Sequence, residues 1–300
     1  MRPETIPELP ESRPLERADK PLLDTIFSEF PPAASEMTFT NLYAWCGTHP
    51  VFLSRRGQTA LLWRGPAAKG VLLPPAGPPL EVAGIRAALS WAEKMGCPPE
   101  FGRLPAADAR KLLDADPRLI MIDDRNNADY VYRTTDLAEL PGRKYDGKRN
   151  FVKNFNRAAS ARFRAIGPDI LDLCKDVQSA WCDLRECSIH ADLEDEDKAV
   201  RVVLEEWEYL KVFGGALMVD DRVAAFSVAE KLSDGVAVVH FEKAGPWPGA
   251  YQAINQELSR QCLDGFEFIN REQDLGIEGL RKAKQSYHPD HLVEKYTVRY

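Results

Sequence analysis

The sequence predicts an α/β protein built on mixed sheets. Two observations lead there. Short β-rich runs alternate with longer segments whose apolar residues recur at helical spacing. One order, three strands, helix, strand, helix, strand, can be read once in each half of the 300 residues.

Each element has a local reason. An N-terminal arm over residues 1–20 carries charges and prolines but no apolar core, so it reads as an extended segment rather than a signal peptide. A helix follows near Leu22–Phe30 and is stopped by Pro31-Pro32. Strands are expected at 51–54, 59–64 and 70–74, with Arg56-Gly57-Gln58 as the first turn. A helix from Glu81 to about Met95 buries Ile85, Leu89, Ala92 and Met95 and ends at Gly96. A weak strand at 100–103, a helix at 106–115 and strands at 119–122 and 129–133 complete the first domain, taken as 21–140.

The second domain, 141–300, opens with helices near 170–186 and 198–211. The first carries the stripe Leu171, Cys174, Val177, Trp181 and Leu184. Three strands follow (GGALMVD, VAAFSVAEKL and VAVVHFEKA), with turns at Asp220-Asp221 and Ser233-Asp234-Gly235. A helix over 249–263, the strand FEFIN, a short helix over 277–285 and a last strand LVEKYTVRY close the chain. This order is similar to that of the N-acetyltransferase superfamily, so the expected architecture is a tandem pair of acyl-CoA N-acyltransferase (GNAT)-like domains.

Bulk chemistry narrows the function. No run approaches the roughly 18 apolar residues needed to span a bilayer. A net charge of −7 argues against broad DNA binding. The six cysteines are scattered without Cys-x-x-Cys spacing, so they read as reduced thiols of a cytoplasmic protein, one with scope for peripheral membrane contact. No histidine spacing suggests a metal site. Charge is uneven along the chain: residues 143–164 hold eight Lys/Arg against one Asp, and residues 169–208 hold thirteen Asp/Glu against four Lys/Arg.

Three segments carry candidate chemistry. In the acetyltransferase topology a donor enters where two neighbouring strands part, beside a helix start that favours anions. Here that junction is residues 240–256. Lys243 supplies a cation, and Gly249, Tyr251, Gln252 and Asn255 line the helix start, although Pro246 and Pro248 remove two amide donors. After FEFIN comes a polar run in which Asn270, Glu272 and Asp274 are candidate catalytic residues, the two acids as bases, and Arg271 holds an anion. Arg281 and Lys284 extend the donor-binding set, and Tyr287 is the candidate acid. In the basic block, Lys144, Lys148, Arg149, Lys153 and Arg157 form one cationic face with Tyr145, Phe151, Phe155 and Phe163 between them, suited to phosphate, and Lys144, Lys148, Arg149 and Asn150 are the candidate anion-binding residues. The alternatives are a plain Pro/Gly turn for the junction, a capping and salt-bridge network for the polar run, and for the basic block a helix whose phenylalanines pack in the core and whose cations pair with the acidic run at 192–197.

The same residues carry a family resemblance. The runs EKA and GAYQAINQE over 242–257, INREQDLGIEGLRKAKQSYHP over 269–289 and LPGRKYDGKRN over 140–150 resemble the DUF2156 family. That family is related to the C-terminal domain of phosphatidylglycerol lysyltransferases and, more loosely, to Fem-type peptidyltransferases. The resemblance implies transfer of an aminoacyl group from aminoacyl-tRNA to a lipid headgroup or peptide. The competing expectations are a CoA-dependent N-acyltransferase and a non-catalytic module binding an anionic ligand.

Overall fold

The computed structural model describes residues 5–65 and 70–300, so the first four residues of the expected arm lie outside the described residues. In chain order the elements begin with β1 (Arg13–Pro14), α1 (Lys20–Glu29), α2 (Phe39–Ala44), β2 (Val51–Arg56), β3 (Thr59–Arg64) and β4 (Val71–Leu72). Then come α3 (Val82–Lys94), β5 (Phe101–Pro105), α4 (Ala106–Ala115), β6 (Ile120–Asp123), β7 (Asp129–Arg133) and α5 (Thr134–Glu139). The basic block forms α6 (Asp146–Ala158) and β8 (Arg162–Ala165), and the acidic block forms α7 (Leu171–Arg185), α8 (Ala191–Glu205) and α9 (Trp207–Leu210). The chain finishes with β9 (Phe213–Val219), β10 (Arg222–Ser233), β11 (Val236–Ala244), α10 (Ala250–Gln261), β12 (Phe268–Asn270), α11 (Glu278–Gln285), β13 (His291–Val293) and β14 (Lys295–Arg299).

These elements form two compact units, and neither is a single stretch of chain. The first contains the described residues up to Asp129 together with Gln273–Arg281 and Leu292–Tyr300; the second contains Tyr130–Glu272 and Lys282–His291. The first sheet runs β1, β2, β3, β4, β5, β14, β6. The second runs β13, β7, β12, β11, β10, β9, β8. The two sheets share a plan. Antiparallel strands are followed by one parallel neighbour, β4 with β5 and β11 with β12, and then by an antiparallel closing strand. In each sheet a helix, α3 or α10, makes the crossover between the parallel strands, as parallel pairing requires.

The closing strands differ from the sequence expectation. The last run of the chain is divided, and its larger part, β14, inserts antiparallel between β5 and β6 of the first sheet. β7, expected in the first domain, pairs antiparallel with β12 of the second sheet. Charge explains the placement of β14. Lys295 is fully buried in the first unit, and its ammonium lies 2.6 Å from both Glu36 Oε2 and Asp129 Oδ1. Ser35 Oγ donates to Asp129 at 2.9 Å, and Arg103 reaches Glu36 at 3.1 Å. Burial alone would raise the pKa of Glu36, but Lys295 and Arg103 outweigh it and bring the group down to about 2.

Elsewhere periodicity translates into packing. Ile85, Leu89 and Ala92 of α3 join Leu61, Leu72 and Phe101 in the core of the first unit. The N-terminal arm is fastened to the same sheet by β1 and by the bonds Leu9 N to Arg55 O and Arg55 N to Pro7 O, both 2.9 Å. In the second unit Leu184, read as part of a buried stripe, is exposed, because α7 ends one residue later. There the left-handed conformation of Glu186 turns the chain back and brings the Cα atoms of Cys182 and Cys187 to 5.0 Å. These two cysteines are joined as a disulfide, which corrects the expectation of six reduced thiols. Among the described residues no helix is long and apolar enough to cross a membrane.

Replacing Lys295 with Met is expected to cost about 3–5 kcal/mol at pH 7, because two buried carboxylates lose the ammonium they share and Arg103 remains beside Glu36 alone. The cost should shrink as pH falls towards 4.5, because burial without Lys295 raises the carboxyl pKa of the variant, and again below 4.5, as the wild type loses the contribution of Glu36 towards pH 2. Urea unfolding of both proteins across this range measures it.

Candidate active site

The second unit contains the point where two parallel strands part. β11 and β12 pair over three positions, ending at Val238 opposite Asn270. Beyond it, the chain after β12 stays with β7: Arg271 N donates to Tyr130 O and Tyr130 N donates to Glu272 O. β11 runs on to Ala244 without that neighbour. Asn270 sets the divergence. It is fully buried, its Oδ1 accepts the Glu272 amide at 2.8 Å, and Glu272 takes a left-handed φ of 57°.

Charged side chains span the resulting gap. His240 and Glu242, two apart on β11, whose register with β10 shifts at His240, meet Glu272 and Arg271. His240 Nδ1 lies 2.9 Å from Glu272 Oε1, and Arg271 Nη2 lies 2.8 Å from Glu242 Oε2. The second nitrogen of His240 meets Glu230 on β10 at 2.8 Å. Burial disfavours the charged imidazole, but the hydrogen bonds it donates to the Glu230 and Glu272 carboxylates, with their charges, outweigh this and raise its pKa to about 10. His240 is therefore an imidazolium at neutral pH, clamped between two carboxylates. Glu272 keeps 21% of its side chain exposed, whereas His240 keeps 2%.

Aromatic groups complete the cluster. Arg271 sits over the rings of Tyr132 (5.8 Å) and Tyr287 (5.1 Å), and Lys148 lies 4.1 Å over Tyr287. Tyr145 donates to the Tyr287 carbonyl and Tyr132 to the Lys284 carbonyl, each at 2.8 Å. The ammonium of Lys284 is bound to the Arg271 carbonyl. Burial pushes the Tyr287 phenol well above its ordinary pKa, so it keeps its proton.

The expected site residues thus divide. Asn270, Arg271, Glu272, Lys284 and Tyr287 come together in the second unit, and Lys148 joins them from α6. Asp274 does not. It belongs to the first unit, fully buried, where Arg281 binds both of its oxygens, Arg125 approaches at 3.3 Å and the Gly276 amide donates at 2.8 Å. All four lone-pair directions of Asp274 are occupied by these donors, and Arg281 is engaged with Asp274.

The residues of the expected donor loop are engaged within the second unit. Lys243 is buried, 2.7 Å from Glu196 and 3.6 Å over the ring of Trp181, so its charge is already balanced. Gly249 is needed for backbone approach: at φ 88° an added Cβ would stand 2.4 Å from Phe151 O of α6. The Tyr251 hydroxyl accepts from Trp181 at 2.9 Å. Gln252 is half-buried on the first turn of α10, and Asn255 is buried with no partner for its Oδ1 among the described residues. In the basic block, Lys144 meets Asp136 at 3.6 Å and Arg149 caps the carbonyls of Leu140 and Gly142 and pairs with Asp146, while Asn150 is exposed.

Glu230 and Tyr132 belong to the cluster but were not singled out from the sequence, whereas Glu242 entered only through the EKA run and Tyr145 only as an aromatic within the basic block. One signal was available: His240 and Glu242 break the apolar run of VAVVHFEKA.

The topology defines a class, tandem GNAT-like domains on two mixed sheets. The chain belongs to the family described as "Phosphatidylglycerol lysyltransferase, C-terminal", whose model matches residues 27–299. Among solved structures it is similar to a conserved protein of unknown function from Bacteroides thetaiotaomicron, with 29% identity over 96% of this chain and 98% of that one and a TM-score of 0.85. The C-terminal DUF2156 domain of a candidate lysylphosphatidylglycerol synthetase from Agrobacterium fabrum matches with 16% identity, 94% and 92% coverage and a TM-score of 0.65. L-PGS from Bacillus licheniformis matches with 16% identity, 98% and 93% coverage and a TM-score of 0.63. No curated protein sequence matches the chain.

Replacing His240 with Gln should cost about 3 kcal/mol at pH 6, since two carboxylates lose a shared cation. Because the folded pKa is raised, the contribution is complete below about pH 6.5 and fades as pH rises through about 10. The gap in unfolding free energy between wild type and variant should close over that interval.

Proposed function

We propose that this protein is an acyl or aminoacyl transferase, moving the group from an activated ester to an amine or hydroxyl acceptor. The observation that carries the reading is the set of ion pairs across the parting strands β11 and β12, which places a partly exposed carboxylate, Glu272, at the gap. The family name points to a lysyl group as the cargo and phosphatidylglycerol as an acceptor.

In this reading the acceptor attacks the donor carbonyl, forming the new C–N or C–O bond and a tetrahedral oxyanion. Glu272 takes the proton released by the acceptor, and the His240 imidazolium fixes the orientation of that carboxylate. Tyr287 keeps its proton, so it serves better as a hydrogen-bond donor to the oxyanion than as an acid that gives the proton away. Collapse breaks the bond to the donor oxygen, which recovers the proton. A CoA donor is less well supported. The cation and helix start that would hold its pyrophosphate are engaged by Glu196 and by the α6 backbone.

The test is reconstitution with lysyl-tRNA and phosphatidylglycerol vesicles, with acetyl-CoA plus an amine as the parallel arm and products read by mass spectrometry. Product in the first arm is expected, with the rate falling about 100-fold in Glu272→Gln and about tenfold or more in Tyr287→Phe. Equal rates in wild type and Glu272→Gln would remove Glu272 from the chemistry, and product only with acetyl-CoA would replace the donor.

A further inference from the structure

Each sheet has two outer strands, and three of the four are protected against further pairing in familiar ways. β1 is two residues long and contains Pro14, β13 is three residues long, and β8 presents Arg162 and Arg164 to solvent. β6, which lies outside β14 in the first sheet, carries two bare isoleucines instead. Ile120 is 49% exposed and Ile122 38%.

The register of β6 on β14 fixes which groups remain for a further strand. Asp124 N donates to Lys295 O at 2.9 Å, and bonded positions alternate along an antiparallel pair. Asp124, Ile122 and Ile120 therefore turn their backbone groups to β14, while Asp123 and Met121 turn theirs outward. Side chains alternate as well. Met121 packs on the core of the first unit, and Ile120 and Ile122 share the opposite face.

We propose that β6 is the interface of a two-fold dimer, in which it pairs antiparallel with β6 of a second copy about an axis through Met121. The residues themselves select this register. An axis through Asp123 would set two carboxylates directly opposite each other. An axis through Leu119 would bring Pro117, which has no N–H, to a bonding position. Axes through Ile120 or Ile122 would leave the other isoleucine facing Arg118 or Asp124. With Met121 on the axis, its N–H and C=O exchange bonds with those of its own counterpart, and the Asp123 N–H meets the Leu119 carbonyl of the second copy. Each Ile120 then faces an Ile122. Asp124 and Arg118, anchored by Asn127 and Asp116 within their own copies, come opposite as acid and base. The contact is shorter than the roughly 1,200 Å² of a standard interface, so the dimer is weak and forms as concentration rises.

Sedimentation velocity of the full-length protein, over a series reaching about 1 mM, should show the average mass rising from one chain and levelling at two. A mass that stays at one chain, or climbs past two, overturns the proposal, because a two-fold pair of edges is closed. Asp123→Pro removes an outward N–H and spares the bonds to β14, and Ile122→Lys puts a charge on the shared face. Each should weaken association about tenfold, with thermal unfolding of the monomer checking that the fold is kept. Cysteine cross-linking under mild oxidation reads the register, with wild type, whose half-buried Cys46 and Cys262 set the background, as the control. Ile120→Cys mixed with Ile122→Cys should cross-link, since directly opposite, non-bonded positions stand about 4.5 Å apart at Cα, within disulfide reach. Either variant alone should not, since like residues then stand about 8 Å apart. No cross-link in the mixture, equal cross-linking in a single variant, or wild-type association in both Asp123→Pro and Ile122→Lys also overturns it.

Discussion

Lys295 holds a full charge inside the first unit, and much of that unit is arranged around it. Its ammonium is desolvated, and two carboxylates from segments far apart in sequence, Glu36 and Asp129, return what hydration would have given. Such a group is poor evidence of net stability, because apolar residues of the same volume often do as well. Its consequence is register. A one-residue slip of β14 would carry Lys295 to the opposite face of the sheet and strand both carboxylates in the core. The register of β14 between β5 and β6 is therefore specified by electrostatics as well as by Val298, its buried apolar residue.

The same logic, a charge neutralised by residues distant in sequence, shapes the second unit. There the ion pairs of His240 with Glu272 and of Glu242 with Arg271 occupy the place where backbone pairing between β11 and β12 stops. A strand gap exposes backbone groups and polar side chains, and closing it with apolar packing would remove any site for chemistry. Closing it with ion pairs leaves a polar region that is ordered before any ligand arrives, the condition under which electrostatic stabilisation is most effective. Asn270 contributes at one remove, by setting the turn that aims Glu272.

The charged residues of this protein thus fall into two kinds that composition does not separate. Asp274 and Arg281 satisfy one another, as do Lys243 and Glu196, and each pair is a structural device in a buried setting. Glu272, Arg271 and Lys148 retain exposure or unspent donors. Glu272 and Asp274 stand two residues apart in a single polar run. Yet one sits at a strand gap and the other is enclosed by Arg281, Arg125 and a backbone amide.

What the sequence determined by itself was the kind and order of elements. Helical stripes such as Ile85, Leu89 and Ala92, continuous apolar strands such as TALLWR, and turn residues at Asp220-Asp221 are local signals, and local sterics and periodicity act within a few residues. The long polar run after FEFIN also marked the right neighbourhood for a site, because ionisable groups beside a core strand are costly unless they have a use. Tertiary structure alone decided which sheet each closing strand joins, which carboxylates are already neutralised, and that Cys182 and Cys187 meet. These outcomes depend on partners up to 259 residues apart, as with Lys295 and Glu36. Charge pairing and desolvation act through space, and no spacing along the chain encodes them.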